Sequence, residues 1–148
     1  MSSQPTTDPL DSFVFLTNRV GRLIVKRIRE EIDFEKFGLS PFHMGILADL
    51  FLEDGVRQQD LAVSSIKDKA TIARALERME QKGFLERIPD PKDKRSKRIL
   101  LTEKGKELHG KVFSKAMDIE QEVTPSVSLE DLRTTRRVLR QIYEHLQG

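Results

Sequence analysis

The most concentrated charge in the sequence lies in the stretch DPKDKRSKRILLT, residues 90–102. Its cations directly precede an apolar run and are Lys92, Lys94, Arg95, Lys97 and Arg98. Ammonium and guanidinium groups packed this densely must face either water or an anionic partner, and phosphate is an anion that both groups bind well. The net charge of the chain is only +2. A basic segment on a nearly neutral protein indicates a local anionic partner rather than a generally cationic surface.

The length and composition limit the classes of protein to be considered. A chain of 148 residues with 34% charged residues predicts one compact domain, 1–148, with a modest core. The absence of cysteine excludes disulfides, thiolate metal ligands and cysteine-based redox switches. The sequence has no apolar run long enough to span a bilayer, and MSSQPTTDPL lacks a signal-peptide core. We therefore expect a cytoplasmic protein with no membrane partner.

Helices are the main elements available to position the cations. Apolar residues recur at helical spacing, and dipeptides such as Asp8-Pro9 and Ser40-Pro41 mark helix starts. These signals predict six helices. The first three are a long helix over 8–33, one from Pro41 that stops by Gly55, and a short one over 58–63 packed through Leu61 and Ala62. The other three are one over 69–82 capped by Asp68 and ended by Gly83, one from Thr102 that Pro125 ends, and one from Ser128 to the end of the chain.

A β-hairpin with a cationic tip follows the fourth helix. Residues 84–88 read as one strand that stops at Pro89, residues 98–101 as a second, and DPKDK forms the turn between them. Three helices followed by a two-stranded ribbon describe a winged helix-turn-helix. The predicted fold is therefore mainly α with a small β-hairpin (α+β), with a core over 39–101 between helical arms at 8–33 and 103–147.

The last helix carries a narrow apolar seam that indicates a partner helix. Its members step along one face: Leu132, Thr135, Leu139, Ile142 and Leu146.

In a helix-turn-helix the second helix enters the major groove of DNA, where base edges are distinguishable. Here that helix is 69–82, and with Ile72, Leu76 and Met79 turned inward its outward face holds Lys69, Ala70, Thr71, Arg74 and Arg78. The hairpin then lies beside the same duplex. Its lysines suit phosphates, and the planar guanidinium of Arg95 suits the narrow minor groove.

One alternative to DNA binding remains open from the residues. The hairpin cations would then only be solvated, as on many sheet edges, and Arg74 and Arg78 would pair with Glu77 and Glu80. In that case the chain is a helical adaptor whose last helix docks on another protein.

Several segments taken together resemble the MarR family (multiple-antibiotic-resistance regulators). They are LSPFHMGILADL, DLA, DKATIARALERMEQKGFLER and DPKDKRSKRILLTEKGKEL, covering roughly Leu39 to Leu108. The resemblance implies a homodimeric transcription factor, usually a repressor, that binds a palindromic operator through interleaved terminal helices. It implies that Arg95 enters the minor groove, steadied by an ion pair with Asp93, and that Ala70, Thr71 and Arg74 lie in the major groove. The predicted DNA contacts are Lys69, Ala70, Thr71, Arg74, Arg78, Lys92, Asp93, Lys94, Arg95 and Lys97.

Many members of this family bind aromatic or phenolic anions in a cleft between the dimer arms and the winged domain. The residues that would line one wall of such a cleft here are Phe37, Phe42, His43, Met44 and Leu47. Phenylalanine and methionine at helical spacing usually belong to a core, and the core interpretation is the better supported one.

Metal binding and catalysis have little support in the residue pattern. His43 and His109 could approach each other beside Glu30, Glu31 and Glu107, but Phe113 stands where a second histidine would follow His109 by one turn. A structural histidine is therefore favoured over zinc sensing. The sequence contains no nucleophile–base pairing, glycine-rich phosphate loop or paired carboxylates at supportive spacing. We expect no enzyme, no metal and no cofactor.

Overall fold

The computed structural model describes residues 7–61, 63 and 66–148. The described part is mostly helical with a small three-stranded antiparallel sheet of order β1-β3-β2. The helices are α1 (Phe13–Glu31), α2 (Pro41–Leu52), α3 (Lys69–Gln81), α4 (Glu103–Val123) and α5 (Leu129–Gln147), and the strands are β1 (Val56–Arg57), β2 (Leu85–Pro89) and β3 (Lys97–Leu101). This arrangement confirms the predicted winged helix-turn-helix class.

The start of the chain differs from the single helix predicted over 8–33. The Asp8 carboxylate accepts the Leu10 amide at 2.9 Å, but the element that it caps is a 3-10 turn, Pro9–Asp11. Ser12 then caps α1 through the Phe15 amide. Asp-Pro therefore does mark a helical start, but Ser12 is extended and separates the short turn from α1.

The helix predicted over 58–63 is replaced in part by a 3-10 turn, Gln58–Asp60. Leu61 is buried as predicted, whereas Ala62 lies outside the described residues. Before this turn, β1 pairs Val56 with Ile99 and Arg57 with Arg98. This strand is not predictable from the sequence, because two residues are too few to show an alternating pattern.

The helix that precedes the wing agrees closely with the prediction. The Asp68 carboxylate accepts the Thr71 amide at 2.9 Å and begins α3. Ile72, Leu76 and Met79 are all buried, as their spacing predicted. Lys82 closes the helix, and Gly83 adopts the left-handed conformation, φ 80°, that turns the chain into β2.

The wing is the hairpin of β2 and β3, and β1 pairs with the other edge of β3. The register pairs Leu85 with Leu101 at one end and Pro89 with Lys97 at the other. Pro89, predicted to stop the strand, is its last residue, which is tolerated because β2 is an edge strand.

The core lies inside the winged part of the chain. Its fully buried members come from α2, α3 and the sheet, and they include Ile46, Leu50, Leu76 and Ile99. The start of α4 closes the core through Leu108. By contrast, no residue of α1 or α5 is buried in the single chain. Among the described residues, every helix is too short or too polar to cross a lipid bilayer.

Candidate nucleic-acid interface

The first turn of α3 presents an ordered polar surface. The Thr71 hydroxyl donates to the Asp68 carboxylate at 2.7 Å, and the Arg74 guanidinium donates to the same hydroxyl at 3.4 Å. The hydrogen bonds from the amide and hydroxyl of Thr71 hold the pKa of Asp68 below its usual range, so the cap is ionised at neutral pH. Lys69, Ala70 and Arg74 are exposed beside it.

Arg78 lies apart from this surface, although it was predicted to share it. Its Nε donates a hydrogen bond to the carbonyl of Gly38, in the turn between α1 and α2. The guanidinium therefore ties α3 to that turn. Neither Arg74 nor Arg78 forms an ion pair with a described residue, so pairing with Glu77 and Glu80 does not explain them.

Two of the basic residues in and beside the wing serve the fold itself. Arg87 pairs with Glu80 of α3 at 2.9 Å. Arg98 pairs with Asp90 at 3.3 Å and also donates to the carbonyl of Gly55, at 2.9 Å, just before β1. These two arginines join the wing to α3 and to β1.

The other wing cations are exposed, and within the described chain they form no ion pair. They are Lys92, Lys94, Arg95 and Lys97.

Asp93 orders the wing turn in a different way from the ion pair with Arg95 that the resemblance implied. Its carboxylate accepts the Arg95 backbone amide at 3.0 Å and the Ser96 hydroxyl at 3.3 Å, and its carbonyl accepts the Ser96 amide. No ion pair joins the two side chains, both of which the structure describes. The Arg95 guanidinium is therefore left exposed at the wing.

An open cleft of about 490 Å³ separates the start of α3 from the wing. It is lined by the described residues Gln58, Gln59, Lys69, Ile72, Arg95, Ser96 and Lys97. Sequence reasoning missed Gln58 and Gln59, because neither charge nor periodicity distinguishes them. Only the fold, which places the 3-10 turn beside β3 and across the cleft from α3, brings them to this surface.

The five residues proposed as a ligand wall lie in the core or pack against it. Leu47 is wholly buried, with 0% of its side chain exposed, and Phe37, Phe42 and Met44 pack against the core. His43 begins α2: its Nδ1 accepts the Ser40 amide at 2.9 Å, which completes a capping box. Burial lowers the pKa of His43, which keeps this acceptor neutral.

His109, the other histidine considered for metal binding, lies in an aromatic cluster. The His109 ring stacks on Phe51, with 4.2 Å between ring centroids, and lies 6.0 Å from Phe113. Within the described ranges, no group of three histidine, cysteine, aspartate or glutamate side chains could hold a metal ion.

The family model described as MarR family matches residues 39–97, from the residues before α2 to the first residue of β3. Over these residues the chain is similar to the MarR family. It is 28% identical to the HTH-type transcriptional regulator PecS of Dickeya dadantii over 127 residues, which cover 84% of this chain and 76% of PecS. It is also 32% identical to the uncharacterised regulator YybA of Bacillus subtilis over 78 residues. That alignment spans about half of each protein, 53% of this chain and 52% of YybA.

Solved structures of the MarR family share the fold over most of the chain. A MarR transcriptional regulator from Methanosarcina mazei matches with a TM-score of 0.71 and 29% identity, covering 86% of this chain and 88% of that one. CouR from Rhodococcus jostii, bound to p-coumaroyl-CoA, matches in fold with a TM-score of 0.75 at 22% identity, covering 93% of this chain and 96% of CouR. The relatives are transcriptional regulators, which confirms the expectation of a regulator rather than an enzyme.

Proposed function

We propose that this MarR-family regulator binds a pseudo-palindromic operator as a homodimer and represses the genes beside it. In this proposal 39–101 is the DNA-binding core, and the arms 8–33 and 103–147 carry the dimer contacts. Helix α3 enters the major groove, and the β2–β3 wing reaches the adjacent minor groove.

The division among the basic residues is the observation that carries the proposal. Arg87 and Arg98 are held by acids of the fold, so the wing could have neutralised its cations internally. Lys92, Lys94, Arg95 and Lys97 nevertheless stay exposed and outside the ion pairs of the described chain, and Arg95 and Lys97 line the same cleft as Lys69. Unneutralised cations gathered around the start of a capped helix favour phosphate as the partner.

Each side chain then has a distinct role. Lys69, Ala70, Thr71 and Arg74 meet the major groove, where the ordered Thr71–Arg74 pair offers donors to base edges or phosphates. Arg95 enters the minor groove, Asp93 shapes the turn that presents it, and Lys92, Lys94 and Lys97 meet phosphates. Arg78 leaves the proposed contact set, because the Gly38 carbonyl holds it.

The exposed apolar side chains of the arms support a homodimer. In the single chain, Val14 of α1 is 74% exposed, and Leu139 and Leu146 of α5 are 45% and 75% exposed. Apolar side chains gathered on two helices mark an interaction surface, and a second copy of the chain would cover them isologously. Such a dimer would present its two recognition helices about 34–36 Å apart, one turn of DNA.

The test begins with a duplex selected from a random pool by the wild-type protein. Arg95→Ala should weaken binding to it by about 1–3 kcal/mol while leaving the fold intact. Arg133→Ala, an exposed arginine on α5, is the matched control and should bind as the wild type does. Equal affinity of the two variants would contradict the proposal, as would wild-type binding that does not weaken as salt rises.

The helical adaptor is separated from the regulator by the same measurement. An adaptor whose hairpin is only solvated would not retain duplex DNA in a salt-dependent manner. A reporter gene downstream of the selected sequence then tests repression: the wild-type protein should lower expression, and Arg95→Ala should restore it.

An effector forms the second part of the proposed function. A cleft of about 230 Å³ lies between the end of α1 and α4. Its lining includes apolar Phe37, Leu108 and Val112, the three cations Lys36, Lys111 and Lys115, and the two acids Glu31 and Asp33. CouR, whose fold matches, has been solved with p-coumaroyl-CoA. We propose that this cleft takes an aromatic acid, with the ring against Phe37 and the carboxylate beside the lysines. Only Phe37 belongs to the ligand wall suggested by the sequence.

The effector would act only by binding the free and DNA-bound geometries unequally. Aromatic carboxylates should therefore release the selected duplex, and Lys111→Glu should abolish release without changing DNA affinity in the absence of ligand. Lys106→Glu, an exposed lysine of the same helix that does not line the cleft, is the matched control. Release that survives Lys111→Glu would place the effector elsewhere.

A further inference from the structure

The chain leaves the winged part at α4 and enters it at the turn between α1 and α2. At the exit, the start of α4 is anchored to the end of α3. The Thr102 hydroxyl donates to the Gly83 carbonyl at 2.6 Å, and the Lys104 ammonium donates to the Lys82 carbonyl at 2.7 Å. At the entrance, the turn is anchored in the core through Leu39, which is 6% exposed.

Arg78 adds a directional contact at the entrance. Its Nε donates to the Gly38 carbonyl, and a Cβ on Gly38 would lie 3.3 Å from Nη2 of the same guanidinium. Apolar burial, as at Leu39, holds two elements together without fixing the angle between them. A hydrogen bond to a carbonyl weakens steeply as its angle changes. Arg78 therefore restricts the angle at which α1 meets the winged part.

On the proposed function, that angle becomes a distance along DNA. Ile72, Leu76 and Met79 pack α3 into the core, so α3 turns together with the whole winged part. If the arms join the two subunits, a rotation of the winged part against α1 changes the separation of the two recognition helices. That separation has to match the spacing of the half-sites. We infer that Arg78 is a positioning residue whose bond to Gly38 sets the half-site spacing that the dimer accepts.

The first experiment varies the spacing of the operator. The duplex selected by the wild type is remade with one base pair inserted or removed between its half-sites. The wild type should bind either altered duplex about tenfold or more weakly, because one base pair moves a half-site by about 3.4 Å and rotates it about the helix axis. Arg78→Met keeps a long side chain but has no donor, and should lose only about two- to threefold because its winged parts can adjust.

Two further variants separate the spacing role from a simple loss of charge. Arg78→Lys keeps a cationic donor within reach of the Gly38 carbonyl and should retain most of the wild-type spacing preference. Arg133→Met removes the same charge from an exposed position on α5 and should bind every duplex as the wild type does. Thermal unfolding of all three variants confirms that they are folded.

The second experiment measures the separation of the recognition helices without DNA. The chain has no cysteine, so Glu77→Cys, at an exposed position on α3, gives one spin label per subunit. The distribution of distances between the two labels of a dimer should be broader when Arg78→Met is added, and unchanged when Arg133→Met is added. An equally narrow distribution with Arg78→Met would overturn the inference.

The outcomes separate this inference from the proposed function on which it rests. Arg78→Met would act as a lost phosphate contact if it weakened binding equally at every spacing and lowered the slope of log affinity against log salt by about 0.9 per subunit. That result would refute the spacing role, as would an Arg78→Met protein with the full wild-type preference for one spacing, and in both cases the regulator stands. If the wild type binds no duplex at all, the proposed function itself has failed.

Discussion

Arg95 and Arg98 stand in the same basic run, yet the structure gives them opposite situations. Arg98 pairs with Asp90 and donates to the Gly55 carbonyl, whereas the Arg95 guanidinium stays exposed and meets no acid of the described chain. A guanidinium that is held by acids stabilises the fold, and one that is left unneutralised is available to an anionic partner. At the scale of single residues, the role of an arginine in the wing therefore depends on whether an acid of the fold lies beside it, and not on the residue type.

Gly105 is required by close packing of the start of α4 on the chain before β2. A Cβ at this position would lie 2.1 Å from the Phe84 carbonyl oxygen, so a backbone would have to move. We expect Gly105→Ala to lower the free energy of unfolding by about 1–3 kcal/mol, measured by urea denaturation. Gly110→Ala, in the same helix with nothing within 4 Å, should instead raise it by about 0.5–1 kcal/mol. Two variants of similar stability would contradict this account.

His43 makes stability depend on pH through the capping box of α2. Burial lowers its pKa in the folded chain, so the unfolded chain takes up the proton first as pH falls below about 6.5. The stability that neutral His43 contributes is therefore lost as pH falls from about 6.5 through the pKa of His43 in the folded chain. His43→Gln supplies a side chain that can accept the Ser40 amide without titrating, and should flatten that part of the profile of thermal unfolding against pH.

The pH dependence that remains in His43→Gln should come from His109, whose pKa is also lowered by burial. His145→Gln, at an exposed position on α5, is the control and should keep the wild-type profile because His43 is still present. An unchanged profile in His43→Gln would mean that the capping histidine does not titrate with folding.

At the scale of elements, the wing is a short hairpin stiffened at its base. Asp90 is only 3% exposed there, and its carboxylate accepts the Lys92 amide at 2.8 Å while facing Arg98. Its backbone amide donates to the Ser96 carbonyl across the turn. Through Arg98 the same cluster reaches Gly55 beside β1. A two-stranded hairpin is marginal by itself, so these contacts determine how firmly the wing cations are held.

Removing the charge of Asp90 should loosen the wing in a pH-dependent way. The Lys92 hydrogen bond and then Arg98 lower the pKa of Asp90, so its stabilisation is present above the unfolded value of about 3.9 and is lost as pH falls through the folded pKa. Asp90→Asn should therefore unfold at a lower temperature than the wild type at pH 7, and the gap should close in acid. Glu86→Gln, exposed on β2, is the control. If the difference in unfolding temperature between the wild type and Asp90→Asn stayed the same in acid, the ion pair between Asp90 and Arg98 would be contradicted.

At the scale of the whole molecule, the winged part has a closed core, whereas α1 and α5 have no buried residue. Arg27 of α1 binds Glu122 of α4 through two hydrogen bonds of 2.9 Å, and Arg136 of α5 binds Glu120 of α4. These polar contacts hold α1 and α5 to α4. On the proposed function, a second copy of the chain covers the apolar faces of α1 and α5.

Disruption of the arm surface should separate the subunits. Leu139→Asp places a charge on the apolar face of α5, so sedimentation should show the 17.1 kDa chain where the wild type shows twice that mass. Gln141→Asp, on the opposite face of α5, should leave the dimer intact. Loss of the dimer should also reduce DNA affinity steeply, since two linked half-site contacts become one. A wild type that sediments as one chain would contradict the dimer.

The sequence by itself determined the elements whose causes are local. Asp68 caps α3, Gly83 ends it, and the spacing of Ile72, Leu76 and Met79 sets its buried face, all within a few residues of one another. Three features could not be predicted from the sequence: the strand β1, the 3-10 turn at Gln58–Asp60 and the position of Arg78. Their partners lie far along the chain: Arg98 meets Gly55 across 43 positions, and Arg78 meets Gly38 across 40. Local rules predict where helices begin and end, but only folding brings distant groups together and so decides which cations stay exposed and outside ion pairs.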